Sequence, residues 1–516
     1  MEEEPEELVL RDPSPGHWLT RWLILRSLGV LYVVAFAILL AQQPGLLGPR
    51  GILPVGRYLA LLQENGQGFW DHPSLFWWSH DLRVMQGLAG VGLLLGLAVT
   101  LGIESGPVML VLWLLYLSFV HVGQVFFGFG WEILLLEAGF LAVFLASWRS
   151  LRPLSPRHPP PALVIWLYRW LTFRVMFGAG LIKIRGDACW RDLTCLATHF
   201  ETQPNPHPLS PLFHRLPAGV LEGGVLFNHV AELLVPFALF LPRPWRSAAG
   251  VVIIAFQLSL VASGNLAFLN WLTIAIAWCA FDDEALLWAL PSRFRARLAE
   301  RLAELRRTAA PHPARRYLLV ALALVIGALS LNPLVNMLSP RQAMNRSFDR
   351  LHLVNTYGAF GSVSRERLEV VIAGSLDRLP PSEATFEEYE LPCKPTRLDR
   401  RPCLVTPYHY RLDWQLWFVP FSPRPQAMAQ NPWLVSLVRR LLDAEPAVLA
   451  LFERAPFLDR PPRYLRIDLY RYRFSRPGET GWWQREWVGP VLAPVTRDDP
   501  ALVAALERLA FVPDPP

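Results

Sequence analysis

The sequence predicts a multi-pass α-helical membrane bundle of about nine spans, followed by a soluble, β-rich C-terminal domain of sandwich-like α+β character. Three observations carry this reading. Hydrophobic residues make up 53% of the chain, charged residues only 18%, and mean hydropathy is +0.27, whereas soluble domains carry about 25% charge. The charge is also uneven: residues 1–338 hold 47 charged residues and 339–516 hold 45, densities of about 14% and about 25%. Long apolar runs recur only in the charge-poor part.

Those runs lie near 22–41, 84–103, 106–127, 131–147, 161–182, 218–241, 247–264, 266–281 and 317–338. Several reach the ~20 residues that a helix needs to cross ~30 Å of hydrocarbon. The acidic start, with no small-residue cleavage site after the first run, excludes a signal peptide there. Residues 1–20 read as a cytoplasmic tail and 21–338 as the polytopic domain. With the N-terminus inside, three internal connections are arginine-rich: Trp148–Pro160 (Arg149, Arg152, Arg157), Pro242–Arg246 and Asp282–Arg316. The positive-inside rule favours that orientation. It places the connection 183–216 and the domain 339–516 in the lumen or exoplasm.

Cysteine placement points the same way. Cys393 with Cys403, and Cys189 with Cys195, form two local pairs on the side assigned as oxidising, while Cys279 sits alone in a span. Bridged pairs would each be worth roughly 2–3 kcal/mol; free thiols are the alternative. Neither pair has zinc-ligand spacing. No phosphate-binding loop, nucleophile elbow, zinc-protease or dinucleotide fingerprint occurs, so no cofactor is implied.

Beyond residue 339, Leu368–Leu376, Tyr408–Phe421 and Leu465–Phe474 read as strands. Trp433–Arg454 has helical spacing, with Asn431-Pro432 as cap and first turn. This part has 24 basic and 21 acidic residues and the whole chain a net charge of +6, which excludes a nucleic-acid footprint. Lys183 and Lys394 are the only lysines, an arginine skew of the kind a GC-rich bacterial genome produces. Asn345-Arg-Ser is the one glycosylation acceptor, relevant in a eukaryotic host.

Two groups of residues carry chemical potential. Within the spans lie Glu132, Glu137, His229 and Glu232, with Arg26, Arg169, Arg174 and Asn228. His229 and Glu232 share a helix face. They read either as an internal ion-pair network, such as Glu137 with an arginine of the fifth span, or as acid and base. Outside, Lys183, Arg185, Asp187, Arg191 and Asp192 alternate in sign beside Trp190, which suits the interface. His199, Glu201 and Gln203 follow in a proline-punctuated segment, read as extended. His199 and Glu201 either satisfy one another or form an acid–base pair. Aromatic residues (Tyr408, Tyr410, Trp414, Trp417, Phe418, Trp482, Trp483, Trp487) are core or client-facing.

The segment GLIKIRGDACWRDLTCLATHFETQPNPHPLS (180–210) resembles the signature of the lipase maturation factor family. So do FGWEILLLEAGFLAVFLA (129–146), NHVAELLVPFALFL (228–241), ASGNLAFLNWLTIAIAWCAFDD (262–283), VNTYGAFGSVSRER (354–367), CKPTRLDRRPCLVTPYHYRLDWQLWF (393–418) and YRYRFSRPGETGWWQREWVG (470–489). The resemblance implies a multi-pass protein of the endoplasmic reticulum membrane, or of the plasma membrane in a bacterial host. Its implied role is to help secreted lipases reach their assembled form, with those lipases as client proteins and no catalysis of its own. A similarity of the bundle to the vitamin K-dependent gamma-carboxylase implies an alternative, a polytopic enzyme acting on a lipid or protein.

Overall fold

Length and apolarity decide which helices cross lipid. The computed structural model describes residues 16–148, 150–156, 158–309 and 313–509; the acidic start, Arg149 and Arg157 lie outside them. Among the described residues, six helices are long and apolar enough to span: α1 (Trp18–Leu47), α2 (Leu82–Leu101), α5 (Ala162–Arg185), α6 (Ala218–Phe240), α7 (Arg243–Ser263) and α9 (Ala314–Leu338). The other three apolar runs form shorter helices: α3 (Gly106–Val122, 17 residues), α4 (Gly130–Leu145, 16 residues) and α8 (Leu269–Ala277, 9 residues). Nearly every residue of α4 is buried. A helix sheathed by protein need not match the hydrocarbon thickness, so it tolerates the shorter length.

Side chains exposed on the bundle, such as Val91, Leu94, Leu101 and Val251, are apolar, as a lipid-facing surface requires. The two ends of the bundle are built differently. At one end, Arg21 pairs with Glu104, while Arg243 and Arg246 both reach Asp282, at 2.8 and 2.9 Å. At the other end, the loops after α1, α3 and α5 and the loop before α8 meet the C-terminal domain.

That domain has one four-stranded antiparallel sheet of order β2-β1-β3-β4: β1 (Arg367–Ser375), β2 (Glu387–Glu388), β3 (Tyr464–Phe474) and β4 (Trp483–Val495). Register runs from Arg367↔Tyr472 to Ser375↔Tyr464. The β1 and β3 strands fall where β-branched and aromatic alternation predicts them. The sandwich expectation is corrected: the layer facing this sheet is helical, contributed by α10 (Arg411–Phe418) and α11 (Pro432–Leu442).

The expected strand Tyr408–Phe421 is α10. Leu412, Leu416 and Val419 recur at three- and four-residue spacing and are all buried, so the helical period outweighs the aromatic propensity for strand. In α11 every residue from Trp433 to Leu442 is buried, including Leu434, Leu437, Val438, Leu441 and Leu442. The helical spacing expected over Trp433–Arg454 breaks at Asp443 and resumes only in the short helix Pro446–Leu449. The largest hydrophobic cluster runs from Ile24 in α1 through α4 and α5 to Ile467 in β3 and Leu506. The C-terminal domain therefore shares its interior with the bundle.

Candidate functional site

Taking a charge out of water is costly unless an opposite charge and hydrogen bonds replace the solvent. Each carboxylate singled out from the apolar runs meets that requirement. Glu137 on α4 forms an ion pair with Arg174 on α5. The same carboxylate accepts from the Asn355 N–H (3.0 Å), the Asn355 side-chain amide (3.1 Å) and the Tyr357 hydroxyl (2.7 Å). Arg174 also donates to the Asn355 carbonyl at 2.6 Å. Glu132 pairs with Arg411 of α10 at 2.7 Å and takes a hydrogen bond from Tyr116. Arg411 donates to the Phe126 carbonyl (2.6 Å), and its N–H to Gln42 Oε1 (2.9 Å).

Glu232 meets Lys183. Its oxygens lie 2.6 and 2.7 Å from the ammonium, whose third donor reaches Asn228 Oδ1 at 2.9 Å. A π-helical turn at Val230–Leu234 interrupts α6 here. His229 and Glu232 find different partners on the same stretch of chain. His229 Nε2 lies 2.9 Å from the Trp190 carbonyl, while Glu232 turns to Lys183. The Trp190 ring lies 5.1 Å from the Lys183 ammonium, a cation–π arrangement.

The connection 183–216 is clamped between bundle and C-terminal domain. Gly186 packs against Gly361, where any Cβ would strike the carbonyl oxygen. Asp187 accepts from the Cys189 and Val363 N–H groups and pairs with Arg365 at 3.0 Å. The Cys189 hydrogen bond is the main reason its carboxyl sits below the usual range. Trp190 donates to the Phe360 carbonyl (2.8 Å), Arg191 to that of Ile184 (2.7 Å) and Arg185 to that of Met337 (2.6 Å). Asp192 is exposed on the surface. Cys189 and Cys195 are bonded, with Cα atoms 4.7 Å apart; the Cys393–Cys403 pair is bonded at 5.3 Å.

The extended reading of His199 and Glu201 is corrected, because both lie in a short helix, Leu196–Thr202. The prolines begin only at Pro204, leaving this turn free to coil. The two side chains diverge: His199 is buried with its ring 4.8 Å from Phe360, and Glu201 accepts from the Phe474 N–H of β3 at 2.6 Å. Gln203 donates to the Ser263 carbonyl (2.8 Å) and the Ser210 hydroxyl (2.9 Å).

Sequence reasoning missed three residues of this junction. Arg367 donates to the carbonyls of Glu201, Gln203 and Pro204 at 2.6–3.0 Å, and pairs with buried Glu369 at 2.5 Å. Lys394 pairs with the same Glu369, so each of the chain's two lysines is buried against a glutamate. Asn265 is a hub. Its amide donates to the Pro206 (3.1 Å) and Cys403 (2.9 Å) carbonyls, and its oxygen accepts from the Val405 and Thr406 N–H groups at 3.0 and 3.2 Å. The only signal for these residues was their place inside long motifs. Nearby, a cavity of about 310 Å³ opens between Thr202, Arg367, Leu368, Trp417 and Phe421. Of the aromatic residues proposed as client-facing, Trp414 and Trp483 are core, while Trp482 and Trp487 are exposed.

Burial, reinforced by the Lys183 ammonium, pushes the His199 imidazole down to about 4. An unfolded histidine protonates near 6.5, so the stability it supports is complete above pH 6.5 and is lost as pH falls towards 4. At about 1.4 kcal/mol per unit the loss amounts to roughly 3 kcal/mol. Thermal unfolding of the full chain from pH 7.5 to 4.5 should therefore show a shallower acid loss in His199→Gln than in the unsubstituted protein. Parallel curves would refute the assignment.

Comparison with known proteins places this geometry in a family. Residues 19–288 match the model of the lipase maturation factor transmembrane domain, and residues 353–493 that of the lipase maturation factor C-terminal domain. Lipase maturation factor 1 of Bos taurus is 43% identical over 508 residues, covering 93% of this chain and 90% of that protein. Lipase maturation factor 1 of Mus musculus is 42% identical, covering 96% and 90%. Lipase maturation factor 2 of Homo sapiens is 31% identical, covering 96% and 85%. No solved structure matches.

Proposed function

The chain belongs to the lipase maturation factor family, and from that premise we propose that it is a multi-pass membrane maturation factor that helps secreted lipases reach their active, assembled form. The observation that carries this reading is similarity to lipase maturation factor 1 over about nine-tenths of both chains. The protein is a maturation factor rather than an enzyme. The carboxylates an enzymatic reading would use, Glu137 and Glu232, are each held by a buried cation, and His229 faces a backbone carbonyl. The gamma-carboxylase-like alternative is not favoured.

Client contact falls on the outer domain, where the cavity beside Trp417 and exposed Phe421 adjoins the clamped connection. Disulfide 189–195 closes a loop of the connection and 393–403 one of the C-terminal domain, and Asn265 ties the second to the bundle. The decisive experiment expresses the full chain with a secreted lipase in cells lacking their own lipase maturation factor. Lipase activity per unit mass in the medium should rise well above the empty-vector level. Unchanged specific activity at normal expression of the chain would overturn the reading.

For topology, we propose nine alternating passes, with the short α3, α4 and α8 crossing inside the protein sheath. The N-terminus is then cytoplasmic and residues 339–516 lie in the lumen of the endoplasmic reticulum. Supporting this, Arg243 and Arg246 gather at the bundle end away from the outer domain, as the positive-inside rule requires. Both disulfides lie at the opposite end, as an oxidising compartment requires. The native acceptor Asn345 is exposed, but its amide oxygen takes the Gly358 N–H at 3.3 Å. Gly478→Asn, in an exposed turn at φ 92°, completes an acceptor with Glu479 and Thr480, and Asn tolerates positive φ. In microsomes this variant should gain an endoglycosidase-sensitive mass shift. Absence of the shift in folded protein would place the domain in the cytoplasm.

A further inference from the structure

At the bundle end away from the outer domain, the chain between α8 and α9 folds into a helical hairpin, Asp283–Ala289 and Ser292–Thr308. Arg295 closes its turn by donating to the carbonyls of Trp288 (2.8 Å) and Leu290 (2.9 Å). The longer helix carries six arginines against Glu300 and Glu304. Three- and four-residue spacing sets Phe294, Leu298, Leu302 and Leu305 on one stripe.

The last turns of this stripe are covered by protein. Leu302 and Leu305 are buried against Trp18 at the start of α1, and Arg306 reaches Asp283 at 3.4 Å. Towards the hairpin tip the cover ends and the stripe continues: Phe294 is 54% exposed and Trp288 beside the turn 79%. Arg293 and Arg297 flank Phe294 on the helix. Both are exposed, and neither has an ion pair among the described residues.

The neighbouring spans show where the lipid boundary lies. Trp22, Trp245 and Tyr317 are exposed within the first two turns of α1, α7 and α9, at this same end of the bundle. Aromatic residues in that position mark the level at which acyl chains give way to headgroups. A basic helix with an uncovered aromatic edge at that level has the composition of an in-plane interfacial helix.

We propose that the Ser292–Thr308 helix is an interfacial anchor whose ligand is the anionic phospholipid of the adjacent leaflet. Trp288 and Phe294 enter the acyl boundary, and the guanidinium groups of Arg293 and Arg297 bind headgroup phosphates, which their planar donor fork suits. The buried turns at Leu302 and Leu305 fix the angle at which the hairpin meets the membrane.

The test uses the full chain in phosphatidylcholine nanodiscs doped with phosphatidylserine. The native cysteines are disulfide-bonded or, like Cys279, buried, so Phe294→Cys is selectively labelled with an environment-sensitive fluorophore. Lipids brominated near the headgroup end of the acyl chain should quench it; unquenched, water-like emission would overturn the proposal. Retention of phosphatidylserine over phosphatidylcholine is then read by native mass spectrometry. Arg293→Gln and Arg297→Gln should each lower the preference roughly fivefold, and an unchanged preference would overturn the proposal. Loss of the preference on adding inorganic phosphate would assign the arginines to a soluble anion instead, and would equally overturn it.

Discussion

The structure depends on the neutralisation of carboxylates that the bundle buries. Glu132 and Glu137 sit on α4, which is almost fully enclosed, where an isolated charge is far too costly to persist. Their partners come from elsewhere in the chain: Arg174 from α5, and Arg411, Asn355 and Tyr357 from the C-terminal domain. Folding the bundle without the outer domain would leave Glu132 without Arg411, and Glu137 with only part of its shell. Removing one member of a buried pair typically costs 3–5 kcal/mol. The polar junction therefore makes the outer domain part of the bundle's own stability.

The same logic explains the two lysines in a chain otherwise served by arginine. At Lys183 a compact ammonium spreads its donors over Glu232 and Asn228 in a space lined by Trp190. A planar guanidinium has a different shape and a fixed donor fork. Glu232 sits in the π turn Val230–Leu234, and such turns are frequent at functional sites. The cation also anchors the first residues of the clamped connection, so the bundle interior, the Cys189–Cys195 loop and the face proposed for clients form one continuous arrangement.

Much of the fold was legible where local physics decides the outcome. Strands β1 and β3 announced themselves through β-branched and aromatic alternation, and the six long helices through apolar length. Reading failed where tertiary context overrode the local signal. The aromatic run 408–421 scores as strand, yet it folds as α10 because Leu412 and Leu416 have a common surface to cover. Among the site residues, the intramembrane carboxylates stood out because charge is rare in an apolar run. Their partners did not: Arg411 lies 279 residues from Glu132 and Asn355 lies 218 from Glu137. Nothing local marks an arginine in a polar domain as the counter-ion of a distant apolar helix. Asn265 was equally silent, since its role consists of backbone groups supplied by two distant loops.

The proposed client surface benefits from being held at a fixed position, and the buried junction supplies the rigidity. Hydrogen exchange read by mass spectrometry, comparing the full chain with Glu137→Gln, tests this most directly. The substitution keeps the shape of the side chain and leaves Arg174 uncompensated. Faster exchange is expected not only in 130–145 but also in 354–375 of the outer domain, which contains Asn355, Tyr357 and β1. Faster exchange confined to the bundle, with the outer sheet unchanged, would contradict it.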